Sequence, residues 1–159
     1  MPRVVSLFLP TWPTDRLRRK LGPSAPSAER PLVLVGQEGP RRVVMAADRA
    51  ALKVGLRIGM PATKAQALVR DLVIKEAEPR EDYAALERLA VWALRYAPIV
   101  AADAPDGIVI DISGAAHLHG GEDALLHGMV TRLAATGITA PGAQSRTPAR
   151  RMDAPVPLS

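Results

Sequence analysis

Residues 95–113 read RYAPIVAADAPDGIVIDIS, and their pattern sets the layout of the C-terminal half of the chain. Ala104, Pro105 and Asp106 have the chemistry of a turn, because proline presets φ and an aspartate side chain can hydrogen-bond its own backbone. On either side lie short aliphatic runs, residues 98–102 and 107–112, which read as two strands joined by that turn. Upstream, residues 79–97 read as a helix with Tyr83, Leu86, Ala90, Ala93 and Ala97 on one buried stripe. Glu81, Asp82, Glu87, Arg88 and Arg95 fall off that stripe. Downstream, residues 120–136 read as an amphipathic helix with Leu126, Met129, Val130 and Leu133 on one face, closed by Gly137. Ile138 and Thr139 then begin a further strand. A helix with one apolar stripe suits the cover of one sheet face, so both helices are expected on a single face.

Working towards the N-terminus, residues 3–9 contain Val4, Val5, Leu7, Phe8 and Leu9 and read as a buried strand. Pro10 and Pro13 end it, since proline donates no ladder hydrogen bond. This strand is expected beside 98–102 and 107–112 in one antiparallel or mixed sheet. Thr14 is placed to cap a short helix over residues 15–21 that presents Arg16, Arg18, Arg19 and Lys20. Residues 22–30 read as a loop, and PLVLV at 31–35 and RRVVMA at 41–46 as two more strands. A helix over 48–54 closes at Gly55, Pro61 opens another that runs to about Arg70, and 72–74 is a brief strand. From residue 141 onward the chain holds four prolines and three arginines with little apolar periodicity, which predicts a disordered tail. No internal repeat is visible. The order of elements is that of an α+β fold.

The chain has 159 residues, 48% of them hydrophobic but only 3% aromatic, so its core must be aliphatic. Without cysteine it holds no disulfide, thiolate metal ligand or thiol nucleophile. No apolar run approaches a membrane span, and Pro10, Pro13 and Asp15 interrupt the N-terminal run too early for a signal peptide. A soluble cytoplasmic protein is expected, with no membrane partner. The net charge of +5 is unevenly spread: residues 1–70 carry 13 Lys and Arg against 4 Asp and Glu, residues 71–140 carry 5 against 11. A basic half beside an acidic half suits an oriented polyanion such as nucleic acid. Arg16, Arg18, Arg19, Lys20, Arg41 and Arg42 are the candidate phosphate contacts. Ser6 and Ser113 lack His and Asp partners for a hydrolase. His117 and His119 have no third zinc ligand in view, and His127 falls on the polar side of its helix.

Several strings also resemble, in order and spacing, the Y-family (UmuC-type) translesion DNA polymerases. PLVLVG at 31–36 resembles the family's PxAVxG strand, and ADRAALKVGLRIGMP at 47–61 its fingers segment AxYxARxxGVxxxMP. Residues 82–83 with RYAPIV at 95–100 resemble the palm helix ending in YSPxVE, and APDGIVIDIS at 104–113 resembles SxDEAYLDxT. HLHG at 117–120 and TGITA at 136–140 resemble the next helix and its following strand. The resemblance covers roughly residues 3 to 140 and implies a partial palm over residues 1–13 and 71–140, a small helical fingers-like lobe over 14–70, and a tail over 141–159. The tail fits a truncated or frame-shifted product at least as well as a natural terminus.

Polymerase chemistry in that family needs two divalent ions held by carboxylates. The resemblance places the three metal positions at Phe8, Asp106 and Gly107, where only Asp106 keeps a carboxylate. Asp111 matches a further family aspartate and reads as a structural hydrogen-bonding group. The nucleotide-pocket positions fall at Arg49 and Leu52, in place of the fingers tyrosine and arginine, with Lys53 following; the position that screens the sugar falls at Pro13, beside Trp12. These departures are similar to the ImuB-type accessory proteins, degenerate members in bacterial damage-induced mutagenesis. The resemblance therefore implies a non-catalytic accessory or DNA-binding module in DNA repair, translesion synthesis and the SOS response, with no cofactor, or Mg²⁺ if catalysis persists. Implied partners are DNA and, in the full-length family, an error-prone polymerase, a sliding clamp and a RecA-like protein. The alternatives are an active Y-family DNA polymerase with a rearranged metal site and a non-functional remnant.

Overall fold

In a computed structural model of the chain the described residues are 3–114, 120–141 and 143–146. In chain order the elements are β1 (Val4–Phe8), α1 (Trp12–Leu21), β2 (Leu32–Glu38), β3 (Arg41–Ala47), α2 (Arg49–Lys53), α3 (Ala62–Leu68), β4 (Val73–Glu76), α4 (Pro79–Ala93), β5 (Ile99–Asp103), β6 (Gly107–Asp111), α5 (Glu122–Ala135) and β7 (Ala143–Arg146). The contacts divide the chain into two units, Met1–Pro10 with Arg80–Ser159, and Thr11–Pro79. The layout is α+β, as expected.

The first unit holds a four-stranded antiparallel sheet in the order β5-β6-β1-β7. The three strands expected side by side are neighbours. Val5 lies opposite Ile110 and Leu7 opposite Ile108, and all four are fully buried. Alternation along β1 then sends Val4, Ser6 and Phe8 to the other face, opposite Asp111, Val109 and Gly107. Helix α4 buries Ala85, Leu86, Leu89, Ala90 and Ala93, and α5 buries Leu125, Met129 and Leu133. Arg3 grips Glu122 in the first turn of α5 through two hydrogen bonds of 2.8 and 3.0 Å.

Four expectations change here. Tyr83 was placed on the buried stripe of α4 but is 39% exposed, because the stripe begins at Ala85 and Leu86. The helix also stops at Ala93, short of residue 97; its end tightens into three-residue bonds such as Tyr96 N to Ala93 O at 2.9 Å before Pro98 intervenes. The tail is corrected over residues 143–146 alone, since 142 and 147–159 lie outside the described residues. Residues 143–146 pair with β1, Val4 opposite Arg146 and Leu7 opposite Ala143. The sequence AQSR has no apolar run to announce a strand, but the β1 backbone groups facing away from β6 need partners. Ile138 and Thr139, expected to start a strand, do not form one, although Ile138 is buried.

The second unit is built on a three-stranded sheet, β3-β2-β4, with β2 antiparallel to β3 and parallel to β4. Val33, Val35 and Val44 pack with Ala51 of α2, Leu56 and Ala65 of α3. On the other side Leu32, Leu34 and Ala46 pack with Leu17 of α1. Both clusters are aliphatic. Residues 71–79, assigned by the sequence to the partial palm, belong to this unit because β4 adds to β2. The divisions fall after Pro10 and Pro79, where the sequence placed them after residues 13 and 70. Helix α1 starts at Trp12, with Pro13 in its first turn and Thr11 as N-cap residue in place of Thr14.

Candidate functional site

The positions where the resemblance implies metal ligands come together in the first unit. Phe8 ends β1, and Gly107, which starts β6, lies directly opposite it. Asp103, the last residue of β5, lies opposite Gly107 from the other side. Residues paired across neighbouring strands share a face, so Phe8, Gly107 and Asp103 form one row. Asp106 precedes Gly107, and its carbonyl accepts a 2.7 Å hydrogen bond from Leu9 N.

The chemistry of this row is not that of a two-ion site. Phe8 is 49% exposed and offers a hard cation no oxygen. Gly107 has no side chain, and a Cβ built there would stand 2.9 Å from the Leu7 carbonyl oxygen, closer than van der Waals contact allows. Burial pushes the Asp106 carboxyl above its ordinary range, the Asp103 carboxylate adds to the rise, and a bond from the Asp106 backbone opposes it. The residues present therefore do not fit two Mg²⁺ ions. Asp103 was not singled out in the sequence; its signal was its position four residues before Gly107 across a tight turn, which puts it in register with the row. Asp111, read as structural, accepts from Ser113 N at 2.9 Å, and the Ser113 hydroxyl accepts from Arg3 N at 2.6 Å.

The basic candidates lie in the second unit, and four of the six are already engaged with carboxylates. Arg16 is buried, with its guanidinium 2.7 Å from Glu78, and Lys20, one turn later, also reaches Glu78 at 3.3 Å. Together, Arg16 first, they hold Glu78 below the usual carboxylate range. Arg18 pairs with Asp48 at 2.8 Å and donates further to the carbonyls of Pro26, Ser27 and Arg30. Arg42 forms a two-bond fork with Glu76, at 3.0 and 2.6 Å. The expectation that α1 presents four cations is thus corrected for two of them: Arg16 is buried against Glu78 and Arg18 turns, half-buried, to Asp48, while Arg19 and Lys20 are exposed. Arg19 and Arg41 are exposed. Arg41 lines a cavity of about 550 Å³ with Arg42, Thr63, Gln66, Val35 and Ile74.

Of the positions that the resemblance assigns to a nucleotide pocket, Arg49, Leu52 and Lys53 lie together on α2, all exposed. Trp12 is 1% exposed, with Pro13 beside it half-buried. His127 is exposed on α5, as expected. His117 and His119 lie outside the described residues. Among the described residues no helix is long and apolar enough to cross a membrane.

Comparison with known proteins bears on the fold. Protein ImuB of Caulobacter vibrioides is 47% identical over 94 residues, 59% of this chain and 20% of that protein; two strains match alike. The chain thus spans about a fifth of the curated relatives' length. The crystal structure of DinB from Sulfolobus solfataricus superposes with a TM-score of 0.70 at 18% identity, covering 92% of this chain and 42% of that one. An insertion ternary complex of Dbh DNA polymerase gives 0.70 at 19% identity, with the same coverage. At such identities the likeness is one of fold, that of the Y-family polymerases. Residues 23–149 match the impB/mucB/samB family, and the chain belongs to that family.

Proposed function

We propose that the chain is a non-catalytic Y-family module of DNA repair, an accessory in translesion synthesis and damage-induced mutagenesis that binds DNA without extending it. The observation that carries this reading is the pairing of Phe8 with Gly107. Two of the three positions that hold ions in an active relative lack oxygen ligands, and the close approach at Gly107 leaves no room for a carboxylate without a backbone shift. No cofactor is needed on this reading. The likeness to the Dbh ternary complex and to protein ImuB supports the setting. The four-stranded unit then corresponds to a partial palm and the three-stranded unit to a fingers-like lobe. DNA is the direct partner, through phosphate contacts of Arg19 and Arg41. In the full-length family an error-prone polymerase, a sliding clamp and a RecA-like protein would complete the set, in the cytoplasm during the SOS response.

Primer extension tests the catalytic half of the proposal. The purified chain should incorporate no nucleotide with Mg²⁺ or Mn²⁺. Incorporation that disappears in Asp106→Ala would overturn it in favour of an active polymerase with a rearranged site.

A further inference from the structure

Residues 49–70 contain Arg49, Lys53, Arg57, Lys64 and Arg70 and not one carboxylate. The nearest acid upstream, Asp48, is only 3% exposed and is committed to Arg18 and to the N-cap of α2, so it does not offset the cations of this stretch. Within the same stretch Leu52, Val54 and Ile58 are 37%, 54% and 66% exposed. They are not loose. Ala51, just before Leu52, and Leu56, between Val54 and Ile58, are fully buried, and the Arg57 guanidinium donates to the carbonyls of Leu52 and Leu56, at 2.9 and 2.7 Å, folding the chain back after α2. Helix α3 repeats the pattern with Lys64 and Leu68 one turn apart, both exposed.

Scattered exposed aliphatics are ordinary, but these are anchored by the core and interleaved with cations along a stretch of chain without acids. From this we infer that the 49–58 face docks an acidic amphipathic segment of a partner protein, its aliphatic side chains on Leu52, Val54 and Ile58 and its carboxylates on Arg49, Lys53 and Arg57. Charge complementarity sets the sign of the partner, and the aliphatic surface sets its class. Phosphates gain nothing from Leu, Val or Ile. A single strand needs aromatic platforms for its bases, whereas the one aromatic residue of this unit, Trp12, is 1% exposed. A membrane surface is a poor match because α2, five residues long, is too short to lay an apolar face along it.

The test uses the full chain and four probes in fluorescence anisotropy at low and moderate salt. These are a helical peptide of about 18 residues with leucines at i, i+3, i+4 and i+7 spacing flanked by glutamates, its lysine counterpart, a single-stranded oligonucleotide, and phosphatidylserine vesicles. The acidic peptide should bind at least about tenfold more tightly than the basic one. Val54→Ser with Ile58→Ser should weaken it about tenfold, and Lys53→Gln about threefold at low salt. The thermal midpoint should hold, since all three side chains are exposed. Absence of binding, equal binding of both peptides, or binding of the acidic peptide indifferent to the serine pair would overturn the inference. If the oligonucleotide or the vesicles lost as much on the serine pair as the acidic peptide, the face would be a nucleic-acid or lipid surface instead.

Discussion

Arg18 and Asp48 meet at 2.8 Å with the carboxylate almost wholly enclosed, its side chain 4% exposed. One Asp48 oxygen takes the Arg18 guanidinium, while the other accepts from Leu32 N at 3.1 Å and Ala51 N at 2.8 Å. This single side chain therefore ties α1, the start of β2 and the N-terminus of α2. A residue that appears in the sequence as one more acid is the joint of the second unit.

Asp48→Ala should accordingly destabilise the chain by about 3 kcal/mol or more, because it strands a partly buried guanidinium and removes a helix cap. Arg18→Lys should recover only part of that stability, since an ammonium cannot reproduce the planar fork to the Pro26, Ser27 and Arg30 carbonyls. Urea denaturation of the three proteins measures both effects. An Asp48→Ala variant as stable as the parent would show the joint to be idle.

DNA affinity, on the proposed function, should depend on Arg19 and Arg41. With two phosphates neutralised, log K should fall against log salt with a slope near −2 on duplex DNA. Arg19→Gln with Arg41→Gln should remove most of that slope. Arg16→Gln should leave it intact while lowering the thermal midpoint, because Arg16 serves Glu78. Arg132, whose guanidinium stacks 5.9 Å from the Tyr96 ring centroid, should contribute little. A salt titration in which Arg16→Gln flattened the slope would reverse this assignment.

The raised Asp106 carboxyl gives a pH signature. Its folded value lies above its ordinary one near 3.9, so ionisation at neutral pH costs stability. That cost is present above the raised value, fades as pH falls through it, and is gone below the ordinary one. Asp106→Asn should therefore be more stable than the parent at pH 7, and the gain should shrink as pH falls into that window. Thermal midpoints from pH 3 to pH 7 would show it, and a gain constant with pH would exclude the mechanism.

Two glycines should respond to alanine in opposite directions. Gly128, inside α5, has nothing within 4 Å of a built Cβ, so Gly128→Ala should stabilise by about 0.5–1 kcal/mol through helix propensity alone. Gly107→Ala must push against the Leu7 carbonyl and should cost about 1–3 kcal/mol. Chemical denaturation of the pair is the check, and a harmless Gly107→Ala would mean the strands are free to separate there.

Periodicity and turn chemistry read the local structure well and the ion pairs poorly. The hairpin at residues 98–112 announced itself through Pro105 and the flanking aliphatics, and β1 through its unbroken apolar run. Strand β7 did not, because AQSR earns its place by completing the hydrogen bonds of β1, a demand written in another part of the chain. The basic cluster of α1 misled for a related reason. Arg16 and Arg18 are ordinary surface residues by composition, and only Glu78, just beyond β4, and the Asp48 cap bring the acids that claim them. Among the metal positions, the missing oxygens at Phe8 and Gly107 were visible in the sequence, whereas the narrow space over Gly107 required coordinates.

That narrow space has an evolutionary consequence. Because even a methyl group at residue 107 must displace the Leu7 carbonyl, regaining a carboxylate there takes more than one substitution: the strand backbone has to move first, with no benefit until the oxygen ligand at residue 8 is also present. On the proposed function, the route back to a metal site passes through sequences that are less stable and gain no ion. Among homologues, glycine at 107 and a residue without a carboxylate at 8 should therefore be gained together and lost together, a linked pair of characters that marks a lineage's exit from catalysis.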